Sequence, residues 1–87
     1  VKRWCLPKHI HLPWNFIVKV VQLSPEALYE LAGPGVQACW TSDDRTIYLD
    51  KTRSIRCRRA DLAHEMLHAV ADWEVWVMGS HLSDVKG

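Results

Sequence analysis

Cysteine is scarce in this chain: Cys5, Cys39 and Cys57 are odd in number and far apart in 87 residues. No two share the short spacing of a Cys-rich zinc site, so neither a disulfide framework nor a zinc ribbon follows. A reducing, cytoplasmic setting is the simpler expectation. Long apolar runs are missing too. No stretch approaches the roughly 20 residues that span a bilayer, and the N-terminal VKRWCLPKHIHLPW has basic residues but no apolar run of signal-peptide length. A soluble protein with no membrane partner is expected. Charge of one sign is also lacking: the formal net charge is +1, so no global field draws the chain toward nucleic acid or an anionic surface. Internal repeats and low-complexity segments are absent.

What is present is a dense apolar fraction, 48% of residues with five Trp, enough for one domain over residues 1–87 with one modest core. Residues 1–14 carry Pro7 and Pro13 and little periodicity, which predicts an irregular arm whose Trp4 and Trp14 cover part of the core. Phe16 to Gln22 is short and rich in β-branched side chains, a strand. Ser24 is a helix N-cap with Pro25 at the first helical position, and EALYELA continues the helix until Gly33 stops it. After Gly33-Pro34-Gly35, VQACWT predicts a second strand, and the turn Ser42-Asp43-Asp44-Arg45 leads into a third, TIYLD (46–50). From Ser54 the period changes. Ile55, Leu62, Ala63, Met66, Leu67, Val70 and Ala71 recur at helical intervals, predicting a helix from about Arg56 to Trp76 or Met78 that ends near Gly79. The expected class is α+β: a small, mostly antiparallel sheet packed on one long helix.

That helix contains His64-Glu65-Met66-Leu67-His68, an H-E-x-x-H sequence. Four residues at about 100° each return nearly to the same face, one turn or about 6 Å along, so both imidazoles can address one ion. Two of the usual three protein ligands of a catalytic Zn2+ are thereby accounted for. Glu65 stands on the adjoining face, where its carboxylate can act as general base toward zinc-bound water, whose pKa the ion lowers to about 7. The flanking Leu62, Ala63, Met66, Leu67, Ala69 and Val70 are uncharged, as a helix buried behind a metal site requires. The plain alternative is a pair of exposed helix histidines with Glu65 paired to Arg58 or Arg59.

HEMLHAVADW resembles the zincin metallopeptidases, and locally their thermolysin-like gluzincin branch, in the pattern H-E-x-x-H-A-V-x-D-aromatic; the match covers about ten residues of 87. The small size is also similar to minimal intracellular zincins of the SprT-like, ImmA/IrrE-type and phage-encoded kinds, and would suit a phage or bacterial source. The resemblance implies zinc-dependent hydrolysis of a peptide bond in a protein or peptide substrate. It also implies that TIYLD is the rim edge strand along which an extended substrate adds a further strand.

The third ligand departs from the gluzincin pattern, because no Glu follows Glu74. Asp72 continues the His64, His68 face a further turn along and suits a supporting role, holding His68 or the next loop. Glu74 falls where a metzincin ligand would fall, but Ala71 occupies the position that needs glycine. His81 and Asp84 lie beyond Gly79, which could let the chain turn back toward the ion; His81 fits the His-His-His pattern of SprT-like proteins and Asp84 the carboxylate preference of gluzincins. Tyr48, Arg45 and His81 are the candidates for stabilising a tetrahedral oxyanion.

Secondary signals are weaker. The run from Lys51 to Arg59 holds five basic residues at the start of the helix, where cations oppose the macrodipole; a solvated face is the plain reading and phosphate or nucleic-acid binding the sharper one. His9 and His11, two apart, could cap a second metal position. Trp73 and Trp76 should pack the helix onto the arm, and the cysteines should be small apolar groups. The rival to an enzyme is a regulatory or interaction module that uses zinc for structure alone.

Overall fold

The computed structural model describes residues 6–79. The elements are β1 His9–Leu12, β2 Phe16–Leu23, α1 Pro25–Ala32, β3 Ala38–Thr41, β4 Thr46–Asp50 and α2 Ile55–Val77. The α+β class expected from the pattern is what forms. Ser24 caps α1, its Oγ accepting the Ala27 N–H at 3.2 Å, and Gly33, at φ 95°, ends it with its N–H on the Tyr29 carbonyl. Glycine suits that end because only it takes positive φ at no steric cost.

The four strands lie in the order β1-β2-β4-β3. β1 with β2 and β3 with β4 are antiparallel, while β2 with β4 is parallel. Two antiparallel pairings in three make a mixed sheet that is mostly antiparallel, as expected, with one parallel pairing that the pattern did not announce. Its origin is a displacement of the chain at the end of β2. There α1 and the turn through Gly35, at φ 77°, carry the chain two strand positions sideways. β3 runs back along the outside, and the hairpin at 42–45 inserts β4 into the gap.

Two expectations are corrected. Residues 9–12 of the supposed irregular arm form β1, because Ile10 and Leu12 alternate inward onto the core while His9 and His11 face out; the flanking prolines bound the strand instead of breaking it. TIYLD is not the edge strand. β4 is hydrogen-bonded on both sides, and Ile47 and Leu49 are completely buried there; the edges are β1 and β3.

The core lies between the sheet and α2. Phe16, Val18 and Val20 of β2 meet Ile47 and Leu49 of β4 and Leu62 and Ala69 of α2, with Trp40, Met66, Trp73 and Trp76 packed around them. Each such large side chain taken from water contributes about 1.5–3 kcal/mol. Trp73 Nε1 donates to the Pro13 carbonyl at 2.8 Å, and the Phe16 and Trp76 rings stand 5.4 Å apart, so the tryptophans fasten α2 to the β1–β2 turn as their spacing predicts. The helix is less enclosed than its uncharged flanks predict. Leu67, Val75 and Met78 are 70%, 72% and 60% exposed, since a single sheet covers only one side of a helix.

Candidate active site

Ser54 starts α2, its Oγ accepting the Cys57 N–H at 3.1 Å, and the helix then runs unbroken through His64, Glu65 and His68. The two imidazoles are exposed, with ring centroids 5.3 Å apart and planes at 74°. Zinc–nitrogen bonds of about 2.0–2.1 Å at a tetrahedral angle set two ring centres roughly 5 Å apart. The spacing of the two rings matches that of two imidazoles on one ion. Among the described residues no group of three His, Cys, Asp or Glu side chains is arranged to hold a metal. Both candidates for the third ligand, His81 and Asp84, lie outside the described residues.

Glu65 is half-buried and, with His68 and Asp72, lines one wall of a groove of about 490 Å³. Ala38, Cys39 and Trp40 of β3 form the facing wall, and Ala32 and Val36 close the end nearest α1. His64 stands beside the groove without lining it. The general-base candidate and one imidazole thus face an edge strand across an open cleft.

Among the described residues that edge has free backbone. The Asp50 N–H donates to the Gln37 carbonyl at 3.2 Å, and β3 pairs with β4 in register Ala38 with Leu49 and Trp40 with Ile47. Antiparallel ladders alternate, so Cys39 and Thr41 bond to β4 while the N–H and C=O groups of Ala38 and Trp40 point away from the sheet. The edge position that the resemblance implies for TIYLD is occupied by ACWT. What marks ACWT as an edge is its burial, intermediate at every position, and its Gly-Pro-Gly approach; β4, with two wholly buried residues, reads as central.

Among the described residues Asp72 does not hold an imidazole. Its Oδ2 accepts the Trp40 Nε1–H, which ties the edge strand to α2 one turn beyond His68. Cys39 is a thiol pushed up in pKa, first by burial and then by the negative charges of Glu65 and Asp44; it stays protonated at neutral pH.

The remaining sequence candidates separate. Tyr48 donates to Asp44 at 2.7 Å, in the hairpin that Asp44 also joins to Thr41, and lines neither the Glu65 groove nor its neighbour. Arg45 sits in that neighbouring groove with its guanidinium over Phe16 and Trp76. Glu74 is exposed on α2. His9 and His11 are on β1, the opposite edge of the sheet from β3. In the basic run Arg53 pairs with Asp61 at 2.7 Å and Arg58 donates to Gln22, so part of that charge is used within the fold. Comparison with known protein families, curated proteins and solved structures finds no match for this chain.

Proposed function

We propose that the chain is a zinc-dependent peptidase in which His64 and His68 hold the metal, Glu65 is the general base, and a peptide docks as an added strand along β3. The observation that carries this reading is the opposition of Glu65 and His68 to an edge strand with unpaired backbone across one groove. A bound zinc would supply Lewis acidity, polarising the scissile carbonyl and lowering the pKa of water. Ala38 and Trp40 would grip the substrate through main-chain hydrogen bonds, which select an extended backbone and not a particular sequence. Glu65, half-buried on the wall opposite, would take a proton from the attacking water and return it to the leaving amine. Asp72 and Trp40 would fix the distance between the two walls, since a small displacement of a catalytic group is costly in rate.

The test is paired. Purified protein should bind one zinc, and Glu65→Gln should keep that zinc while losing peptide turnover by about two to four orders of magnitude. Full turnover in the variant, or a wild type that takes up no zinc, would sink the reading. A metal coordinated by four side chains with no open position would instead favour a structural ion.

A further inference from the structure

Beyond Trp40 and Asp72 the cleft continues into a second groove of about 330 Å³. Its walls are mainly apolar, from Phe16, Val75 and Trp76, and it holds one cation, Arg45. The guanidinium carbon lies 4.1 Å from the Phe16 ring centre and 5.0 Å from that of Trp76. Among the described residues that guanidinium has ring contacts but no hydrogen bond or ion pair. Aromatic faces orient a guanidinium and strip water from it while leaving its in-plane N–H donors free, the arrangement that receives a carboxylate. The backbone adds an independent sign. Arg45 holds φ 52°, in the left-handed region, at a hairpin position where Gly or Asn would fit without strain.

We propose that Arg45 makes this second groove an acid-selecting subsite, taking a carboxylate carried on an apolar stem: a glutamate side chain of the substrate or the carboxylate that ends it. This specificity rests on the peptidase reading. Asp72 and Trp76 follow His68 by four and eight residues, about 6 and 12 Å along the helix. An extended peptide advances about 3.3 Å per residue, so the selected group lies some two to four residues from the scissile bond. Asp72 also borders this groove, on the wall shared with the first, where its carboxylate is taken up by Trp40; it weakens the anion site without filling it.

Two arms test the proposal. In the first, zinc-loaded protein is given peptides that differ only as Glu or Gln at each position two to four residues from the cut, and others that end there as free acid or amide. The wild type should prefer one acidic member roughly tenfold or more in kcat/KM, and which series shows it identifies the source of the carboxylate. Arg45→Gln and Arg45→Gly should bring the ratio near one, and Arg45→Glu should turn it toward lysine. Equal cleavage by the wild type, or a preference that survives in Arg45→Gln, overturns the proposal. In the second arm, metal-free protein is titrated with 3-phenylpropionate and with its amide while the Arg45 and Trp76 side-chain NMR signals are followed. Larger shifts with the acid, lost in Arg45→Gly, uphold the site; equal or absent shifts reject it. If no peptide is cleaved at all the peptidase reading fails, and the second arm alone decides on the anion site.

Discussion

Trp40 of the edge strand gives its indole N–H to the carboxylate of Asp72, four residues past His68 on α2. One hydrogen bond thus joins the two walls of the cleft and separates its two grooves, both of which these residues line. Asp72→Ala leaves a part-buried donor without its acceptor and should cost about 1–3 kcal/mol of stability. A double-mutant cycle of Trp40→Phe with Asp72→Ala, read by urea denaturation, should return a coupling of about 0.5–3 kcal/mol. Additive losses would mean that the walls are not tied there.

Proline scanning separates the outward and inward backbone of β3. Ala38→Pro removes an N–H that faces away from β4, so the fold should survive while peptide docking is lost. Cys39→Pro removes an N–H of the Cys39–Tyr48 pair and leaves the facing carbonyl without its donor inside a ladder, which should cost about 1–3 kcal/mol. Thermal melts and a peptide-binding titration distinguish the two. Equal damage from both would place the free edge elsewhere.

His64 and His68 are exposed, so neither supports the core. Without metal, His64→Ala and His68→Ala should each change stability by no more than about 0.5 kcal/mol. With zinc at a hundred times its dissociation constant the wild type should gain about 2.7 kcal/mol, and each variant should lose most of that gain. Melting curves with zinc and with chelator show it; variants that keep the full gain would move the metal off these histidines.

The hairpin carries a pH signature. Hydrogen bonds from Thr41 and then Tyr48 hold the Asp44 carboxyl below the usual aspartate range. A folded-state value below the unfolded one adds stability above the unfolded pKa, near pH 4, and loses it as pH falls through the lowered value. Asp44 is exposed, so the effect is small. Asp44→Asn should flatten the stability curve below pH 4 and leave its slope near neutrality unchanged. An unchanged acid limb in denaturation from pH 2 to 5 would refute the assignment.

Arg45→Gly sets two opposed changes against each other. Relief of the positive φ favours the variant by an amount of order 1 kcal/mol, and loss of two ring contacts opposes it by about 0.5–1 kcal/mol each. The melting temperature should therefore move by only a few degrees, making this variant a folded control for the acid-selecting subsite. A collapse of stability would make Arg45 a structural clamp.

Local chemistry was legible residue by residue. Ser24 and Gly33 delimit α1, the change of period at Ser54 announces α2, and the β-branched run from Phe16 and the turn at 42–45 mark β2 and β4 with little error. β1 was hidden because four residues between prolines carry too short an alternation to stand out from a loop. The spacing of His64, Glu65 and His68 needs only a helix to acquire its geometry, so the candidate metal pair and base are readable from one dimension.

Sequence by itself determined the helical register of those three side chains, because the 3.6-residue period is a property of the backbone within one element. Only tertiary structure decided what they face. Whether ACWT or TIYLD lies at the rim depends on which strand hydrogen-bonds on both sides, and that follows from the sideways step of the chain after β2, a non-local event with no local pattern. The joining of Trp40 to Asp72 and the seating of Arg45 between Phe16 and Trp76 are likewise contacts between residues some thirty apart, set by sheet order and helix placement.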